Sequence, residues 1–156
     1  MHRYPGFLSD ISRFFGHKID IVILEIGVGS TANSTEAFLK GLSLRKNGTL
    51  YSVDIRDYKN SVPNQLKKKW VFIHGDSQNI EWNKEIDILF IDGNHTYEAV
   101  KADYERYEPF VKSKGLILMH DVTNKNWGVK DFWKEIKYSK VILQLDAAGM
   151  GIINKL

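Results

Sequence analysis

Five acidic residues lie in, or directly after, short segments rich in isoleucine, valine and leucine. An acid at one segment end is explained equally well by the capping of a turn or helix and by a functional role. Capping is a weaker explanation for five successive ends, because like charges gathered at one edge repel unless a cation or hydroxyl donors are bound. The pattern predicts a ligand with positive charge, sugar hydroxyls or a metal. The residues are Glu25, Asp54, Asp76, Asp92 and Asp121.

A glycine turn follows the first of these segments. Gly27 and Gly29 permit a tight turn and a close approach of the backbone to a ligand, and the helix that follows offers unpaired N–H groups. Asp54, near the end of the next apolar segment, is placed to accept hydrogen bonds from ribose hydroxyls. Read as Gly27-x-Gly29-x-x-Ala32, the turn also fits the fingerprint of nicotinamide-dependent oxidoreductases.

Two histidines accompany the later acids. His95 follows Asp92 by three residues, and a neutral imidazole there can take a proton from an alcohol. The alternative for His95 is a helix-start residue bonded to backbone. His120 precedes Asp121 and is a candidate metal neighbour or second base, or else a packed histidine at a strand end. Trp127, in the following polar loop, either lines an acceptor pocket or anchors that loop.

The elements that must position these residues alternate along the chain. Seven apolar segments that do not alternate cleanly are typical of strands buried on both faces. Between them, helical spacing marks a stripe from Phe7 to Phe15, a helix from Asn33 to Leu44, a helix from Tyr97 through Val111 and another from Val129 to Ile136. The predicted strands cover residues 21–26, 50–55, 70–73, 86–91, 115–119, 141–145 and 150–153.

This alternation predicts an α/β fold: a doubly wound three-layer sandwich around a seven-stranded, mostly parallel sheet. The last two strands are too close for a helical crossover, so they should form an antiparallel hairpin that leaves the last strand reversed. The 156 residues predict a single domain over 1–156, in which 1–20 form a short N-terminal helical extension.

Composition narrows the functional classes. The sequence has no cysteine, which excludes thiolate catalysis and cysteine-ligated zinc and fits a cytoplasmic location. Its apolar runs are too short to span a membrane, and no signal-peptide core precedes them. The net charge of +3 comes from scattered lysines, so no nucleic-acid partner is expected.

At this point the motifs resemble a family, the class I S-adenosylmethionine-dependent methyltransferases. Residues 92–98, with 115–121 behind them, most resemble the branch of sugar O-methyltransferases and cephalosporin hydroxylase-like proteins. The resemblance spans about residues 21 to 153 and implies the family's seven-stranded, Rossmann-like sheet. The segments that carry it are 25–29, 51–54, 75–77 and 87–97.

The resemblance also implies roles for single residues. Glu25, Gly27 and Gly29, together with Ser30, would hold the methionine part of S-adenosylmethionine, and Asp54 its ribose. The remaining implied roles are adenine contacts for Asp76 and Ser77, and a divalent cation such as Mg²⁺ on Asp92 and Asp121. From the chemistry of the residues, Asp92, His95 and His120 are the predicted catalytic residues, and Asp92 is also predicted to contact the cofactor. His120 departs from relatives that carry an acid at its position.

The predicted function is therefore S-adenosylmethionine-dependent O-methylation of a hydroxyl on a sugar, or on another small natural-product or glycan acceptor. Two alternatives stay open: an NAD(P)-dependent oxidoreductase, and a non-catalytic nucleotide-binding domain with a Rossmann-like fold. No membrane partner is expected. A homo-oligomer is left open, because the short loops leave an acceptor pocket that a second subunit could complete.

Overall fold

The computed structural model describes residues 4–15 and 20–156. A seven-stranded sheet forms its middle layer, and four α-helices in the described residues cover the two faces. The strands are β1 (Val22–Ile26), β2 (Thr49–Asp54), β3 (Trp70–His74), β4 (Ile86–Ile91), β5 (Val111–His120), β6 (Lys140–Leu143) and β7 (Met150–Asn154). The helices are α1 (Tyr4–Phe14), α2 (Asn33–Ser43), α3 (Tyr97–Tyr107) and α4 (Val129–Glu135).

The strand order is β3-β2-β1-β4-β5-β7-β6. Neighbouring strands are parallel except where β7 pairs with β5 and with β6. The predicted doubly wound sheet with a reversed last strand is therefore confirmed. At the centre, the chain runs from β1 outward through β2 on one side and from β4 outward through β5 on the other. The crevice between β1 and β4 is where open α/β sheets bind ligands.

Two apolar layers bury the sheet. Alternate residues of β4 point to opposite faces of the sheet. Ile88 and Phe90 pack with Phe38 of α2 on one face. Leu89 and Ile91 belong to the apolar layer on the other face, which also contains residues of α3 and α4. All six residues of β4 are buried. This two-sided burial explains why the strands have continuous apolar sequences rather than alternating ones. None of the described helices is both long and apolar enough to cross a membrane.

Some element boundaries differ from the prediction. The helix predicted from Tyr97 through Val111 ends at Tyr107, and a short 3₁₀ helix, Glu108–Phe110, leads directly into β5. Pro109 explains this end, because proline lacks an N–H and disfavours helical backbone in the residue before it. The described part of the predicted N-terminal extension is α1. Residues 1–3 and 16–19 of that predicted extension lie outside the described residues.

Candidate active site

The carboxyl ends of the central strands are joined by backbone hydrogen bonds that continue past the strands themselves. Gly27 N donates to Val53 O, Asp92 N to Ile26 O and Gly75 N to Asp54 O, each at 2.9 Å. The turns that follow β1, β2, β3 and β4 therefore meet at one edge. They enclose a cavity of about 650 Å³, a size typical of sites for small molecules and cofactors.

The cavity wall contains most of the predicted strand-end residues. Its lining includes Gly27, Gly29, Asp54, Asp76, Ser77, Asp92 and His95. Two lining residues on α3, Ala99 and Asp103, complete the wall opposite the turns. Ser30, predicted to contact the cofactor, lies on the exposed part of the turn and outside this lining.

The glycine turn has the left-handed backbone that its two glycines permit without strain. Gly27 has a φ of 93° and Gly29 a φ of 67°. A Cβ on Gly27 would overlap the backbone carbonyl of Asp92, so only glycine fits between the ends of β1 and β4. Asp54 fixes the turn from the side, because its Oδ2 accepts hydrogen bonds from Val28 N at 2.9 Å and Gly29 N at 3.2 Å.

Glu25 requires a correction to the predicted site. Its side chain has no exposed surface, and its carboxylate accepts hydrogen bonds from three hydroxyls. A residue with no exposed surface does not meet a ligand in the cavity. Glu25 instead holds the start of α2 against β1 and β2 from below the turn. The three donors are Ser34 Oγ at 2.6 Å, Thr35 Oγ1 at 2.7 Å and Ser52 Oγ at 2.5 Å.

The end of the cavity next to β3 carries a polar network that was not predicted from the sequence. Asp103 Oδ1 accepts hydrogen bonds from Ser77 Oγ at 2.6 Å and from Gln78 Nε2 at 2.5 Å. Asp103 is only 3% exposed, and burial raises the pKa of its carboxyl although both donors oppose the shift. The sequence signal for this residue is its spacing of four from Ala99, which puts both on one face of α3.

At the opposite end, two imidazoles lie between two carboxylates. His95 Nε2 is 3.4 Å from Asp92 Oδ1 and 3.1 Å from Asp121 Oδ2. His120 Nδ1 stands at the same two distances from the same two oxygen atoms. The structure thus brings together four residues that the sequence singled out separately. Asp92, His95 and Asp121 each offer one atom to a metal, and these atoms lie within 4.8 Å of one another.

Three further residues support this cluster and were missed in the sequence. Asp146, in the loop between β6 and β7, places Oδ2 3.1 Å from His120 Nε2. Asn124 Nδ2 donates to Asp121 Oδ1 at 3.0 Å, and the ring of Tyr4 lies 4.8 Å from the ring of His120. Asp146 and Tyr4 come from segments distant in sequence from His120, so no local motif could have revealed their contacts. Asn124 lies only three residues after Asp121, in the polar loop that follows β5.

The close charges shift the pKa values of the cluster. Hydrogen bonds to Asp121 and Asp92 raise the pKa of His95 to about 9, against an opposing effect of burial. Burial lowers the pKa of His120, but its contacts with Asp121, Asp92 and Asp146 outweigh burial and raise it to about 11. Burial raises the pKa of Asp121, yet the two histidines hold it well below its usual range. Protonated imidazoles thus neutralise much of the acidic charge.

Trp127 continues this end of the site toward solvent. Its ring lies 4.7 Å from the ring of His95 with an interplanar angle of 30°, and 43% of the residue is exposed. The contact joins the loop after β5 to the start of α3. An indole face is therefore available beside the imidazole that lines the cavity.

Comparison with known proteins agrees with this arrangement. A family model described as a methyltransferase domain matches residues 24–122, which is more than half of the chain. The curated relative "Uncharacterized protein y4gI" of Sinorhizobium fredii is 36% identical over 56 residues. That match covers 35% of this chain and 6% of the relative, so the chain spans a small part of that protein.

Solved structures show the same fold. The O-methyltransferase from Bacillus cereus, in complex with SAH, is 18% identical with a TM-score of 0.71, over 99% of this chain and 80% of that chain. MycE methyltransferase from the mycinamycin biosynthetic pathway, in complex with Mg, SAH and mycinamycin VI, is 18% identical with a TM-score of 0.67. That match covers 97% of this chain and 48% of MycE.

The matched family model includes residues 24–26 of β1, the glycine turn and the strand ends that carry Asp54, Asp92 and Asp121. All of these except the end of β5, which carries Asp121, line the cavity. The chain therefore belongs to the family of methyltransferase domains, and its fold is the Rossmann-like fold of the class I S-adenosylmethionine-dependent methyltransferases.

Proposed function

We propose that this protein transfers a methyl group from S-adenosylmethionine to a hydroxyl oxygen of a sugar or another small natural-product acceptor. One observation carries the proposal. The cavity lined by the glycine turn and Asp54 extends to Asp92 and His95, where the His95 imidazole lies within 3.4 Å of two carboxylates, those of Asp92 and Asp121. A cofactor site and a group able to handle an acceptor's proton therefore share one cavity.

The residues present fit the cofactor. Gly27 lets the ends of β1 and β4 approach each other closely, and Gly29, where no atom lies within 4 Å of a built Cβ, leaves open space beside Asp54 in the cavity wall. Asp54 uses three hydrogen bonds to backbone N–H groups, one of them from Arg56 at 2.9 Å. A carboxylate accepts about four hydrogen bonds, so Asp54 retains capacity for a ribose hydroxyl.

Two groups outside the chain would bring the reactive chemistry. When bound, S-adenosylmethionine supplies an electrophilic methyl on sulfur, and a divalent cation would supply positive charge that lowers the pKa of the acceptor hydroxyl. In its neutral form, His95 takes the proton of that hydroxyl as the carbon–oxygen bond forms and the carbon–sulfur bond breaks. Because Asp121 and Asp92 raise the pKa of His95 to about 9, the fraction of neutral imidazole, and with it turnover, should increase as pH rises toward 9. Asp92 and Asp121 orient His95, and Trp127 offers an apolar face on which a sugar ring can lie.

The oxygen acceptor of the proposal has two supports. His95 faces the cavity as a base suited to a hydroxyl, and its indole neighbour suits a flat or ring-shaped acceptor. In addition, the Bacillus cereus protein is described as an O-methyltransferase, and MycE was solved with mycinamycin VI.

The decisive experiment measures transfer of a labelled methyl group from S-adenosylmethionine to a panel of nucleotide sugars, glycosides and catechols. We expect His95→Asn to reduce turnover by about 10²–10⁴-fold, the usual contribution of a general base, while SAH binding is retained. His74→Asn is the matched control, because His74 ends β3 but lies outside the cavity lining. A fully active His95→Asn variant would remove His95 from the mechanism.

Chelation tests the cation. We expect EDTA, and separately Asp121→Asn, to lower turnover by about 10²-fold, since a Lewis acid contributes several kcal/mol to such a step. Added Mg²⁺ or Mn²⁺ should restore the chelated enzyme. Asp131→Asn is the control, because Asp131 pairs with Lys134 on the exposed surface of α4. Full turnover in EDTA would exclude a required metal.

A further inference from the structure

Helix α1 keeps part of its apolar surface in contact with solvent. Leu8 and Ser12 are its buried residues, and Ser12 Oγ donates a hydrogen bond to a backbone carbonyl of α2 at 3.1 Å. Phe7, Ile11 and Phe14 recur at spacings of four and three, so they lie on one side of the helix, and none of them is fully buried. Phe14 is 65% exposed. A helix fixed along one side therefore leaves a stripe of large apolar side chains at the surface, as interaction sites do.

Two charged residues border this stripe. Asp10 and Arg13 are both exposed, and in the described part of the chain neither side chain forms a salt bridge. Their spacing of three allows an ion pair within the helix, but none forms. The Arg13 guanidinium instead lies over the Phe14 ring, 4.7 Å from its centroid. A carboxylate and a guanidinium thus lie beside the apolar stripe, each available to a partner.

A two-fold axis makes this surface complementary to itself in shape and in charge. When two identical helices pack antiparallel, each residue meets the one equally far from the axis on the other copy. The midpoint between Phe7 and Phe14 and the midpoint between Asp10 and Arg13 lie about one residue apart, which is about 1.5 Å along a helix. One axis therefore places Phe7 against Phe14 of a second copy and brings Asp10 within reach of that copy's Arg13.

The helix alone is too small for a stable interface, because its 11 residues fall short of the about 20–30 that each partner usually contributes. The edge strand β6 offers further apolar surface. Val141 is 56% exposed, and it pairs with Ile152, whose side chain packs in the layer that contains α1. Directly paired residues of an antiparallel ladder point to one face, so Val141 faces the same side of the sheet as α1. Of the described α-helices, only α1 and α2 contribute to this layer, so a second copy has room to cover the edge.

We propose that α1 and the β6 edge of this face form the interface of a two-fold symmetric dimer with a second copy of the chain. The α1 helices pack antiparallel, with Phe14 of each copy against Phe7 of the other and two ion pairs between Asp10 and Arg13 at their border. The dimer does not depend on the proposed reaction.

Sedimentation equilibrium of the full chain measures the dissociation constant of the dimer. We expect Asp10→Arg to weaken dimerisation by about tenfold or more, and Arg13→Asp to do the same, because each creates two like-charged contacts across the axis. The double variant Asp10→Arg/Arg13→Asp should return the constant to within about threefold of the unmodified value, since it reverses both ion pairs. Both positions are exposed, so these changes leave the core of the fold intact.

Truncation tests the apolar part of the interface. Phe14→Ser and Val141→Ser should each weaken the dimer by about tenfold or more, as the loss of a buried anchor does. Val71→Ser is the matched control, because Val71 is also exposed but lies on β3, at the opposite edge of the sheet. A protein that keeps the mass of one chain at every concentration would overturn the inference. So would a dimer whose dissociation constant is unchanged by the single charge reversals, or is not restored by the double variant.

Discussion

At the scale of single residues, the acidic strand ends are largely compensated by the protein itself. Hydroxyl groups donate hydrogen bonds to Glu25, backbone N–H groups donate to Asp54, and two imidazoles flank Asp121. Repulsion among the acids is therefore a weaker sign of a ligand than the sequence pattern implied. The stronger sign is the cavity, because Asp54, Asp92 and His95 still face it.

Glu25 makes a prediction about stability. Burial raises its pKa from the ordinary 4.5 to about 7, against the opposing effect of its hydroxyl donors. Between pH 4.5 and about 7, the folded state therefore keeps a proton on the Glu25 carboxyl that the unfolded chain has released. The stability that the protonated carboxyl contributes is fully present below pH 4.5 and is lost as pH rises through about 7.

The variant Glu25→Gln has no titrating group at position 25, so its stability should not fall with pH for this reason. Relative to the unmodified protein, its free energy of unfolding should rise by about 3 kcal/mol between pH 4.5 and 8, since one pKa unit corresponds to about 1.4 kcal/mol. Urea unfolding of both proteins across this pH range measures the difference between their free energies of unfolding. The other titrating groups are the same in both proteins, so their contributions cancel in that difference. Two curves that run parallel would contradict the assignment.

At the scale of elements, the β1–α2 turn sets the shape of the crevice. We expect Gly29→Ala to cost roughly 1–2 kcal/mol through its left-handed backbone alone, because no atom obstructs a Cβ there. Gly27→Ala should cost a further 1–3 kcal/mol, roughly the cost of forcing an extra carbon into a packed site. It should also abolish SAH binding, since its Cβ would displace the Asp92 backbone.

Urea unfolding and calorimetry with SAH check both alanine variants. Equal losses of stability in the two would show that backbone strain, rather than the overlap with Asp92, makes glycine necessary at position 27. SAH binding by Gly27→Ala with unchanged affinity would show that the crevice tolerates a displaced Asp92.

The elements also show where sequence reasoning works. All seven strands and the reversed last strand were predicted, because burial on both faces leaves long apolar runs and because the chain between β6 and β7 is too short for a crossover. The end of α3 was wrong by several residues, since the apolar spacing continues to Val111 while Pro109 has already ended the helix. Backbone constraints overrode hydrophobic periodicity there.

At the scale of the whole molecule, ligand binding should raise thermal stability. A ligand present at 100 times its dissociation constant stabilises the folded state by about 2.7 kcal/mol, which for a chain of this size shifts Tm by roughly 5–10 °C. We expect SAH to produce this shift in a thermal melt and NAD to produce none. A shift with NAD and none with SAH would favour the oxidoreductase that the glycine spacing also permits.

The sequence by itself determined the fold class, the strand ends that line the cavity, and the histidine beside Asp92, because these depend on local patterns and on chain order. Only the tertiary structure decided that Glu25 is buried below the turn, that His120 lies between Asp121 and Asp146, and that Asp103 accepts a hydrogen bond from Gln78. The physical reason is distance along the chain. Side-chain hydrogen bonds between separate elements leave no periodic trace in sequence and depend on how the helices and loops pack over the sheet.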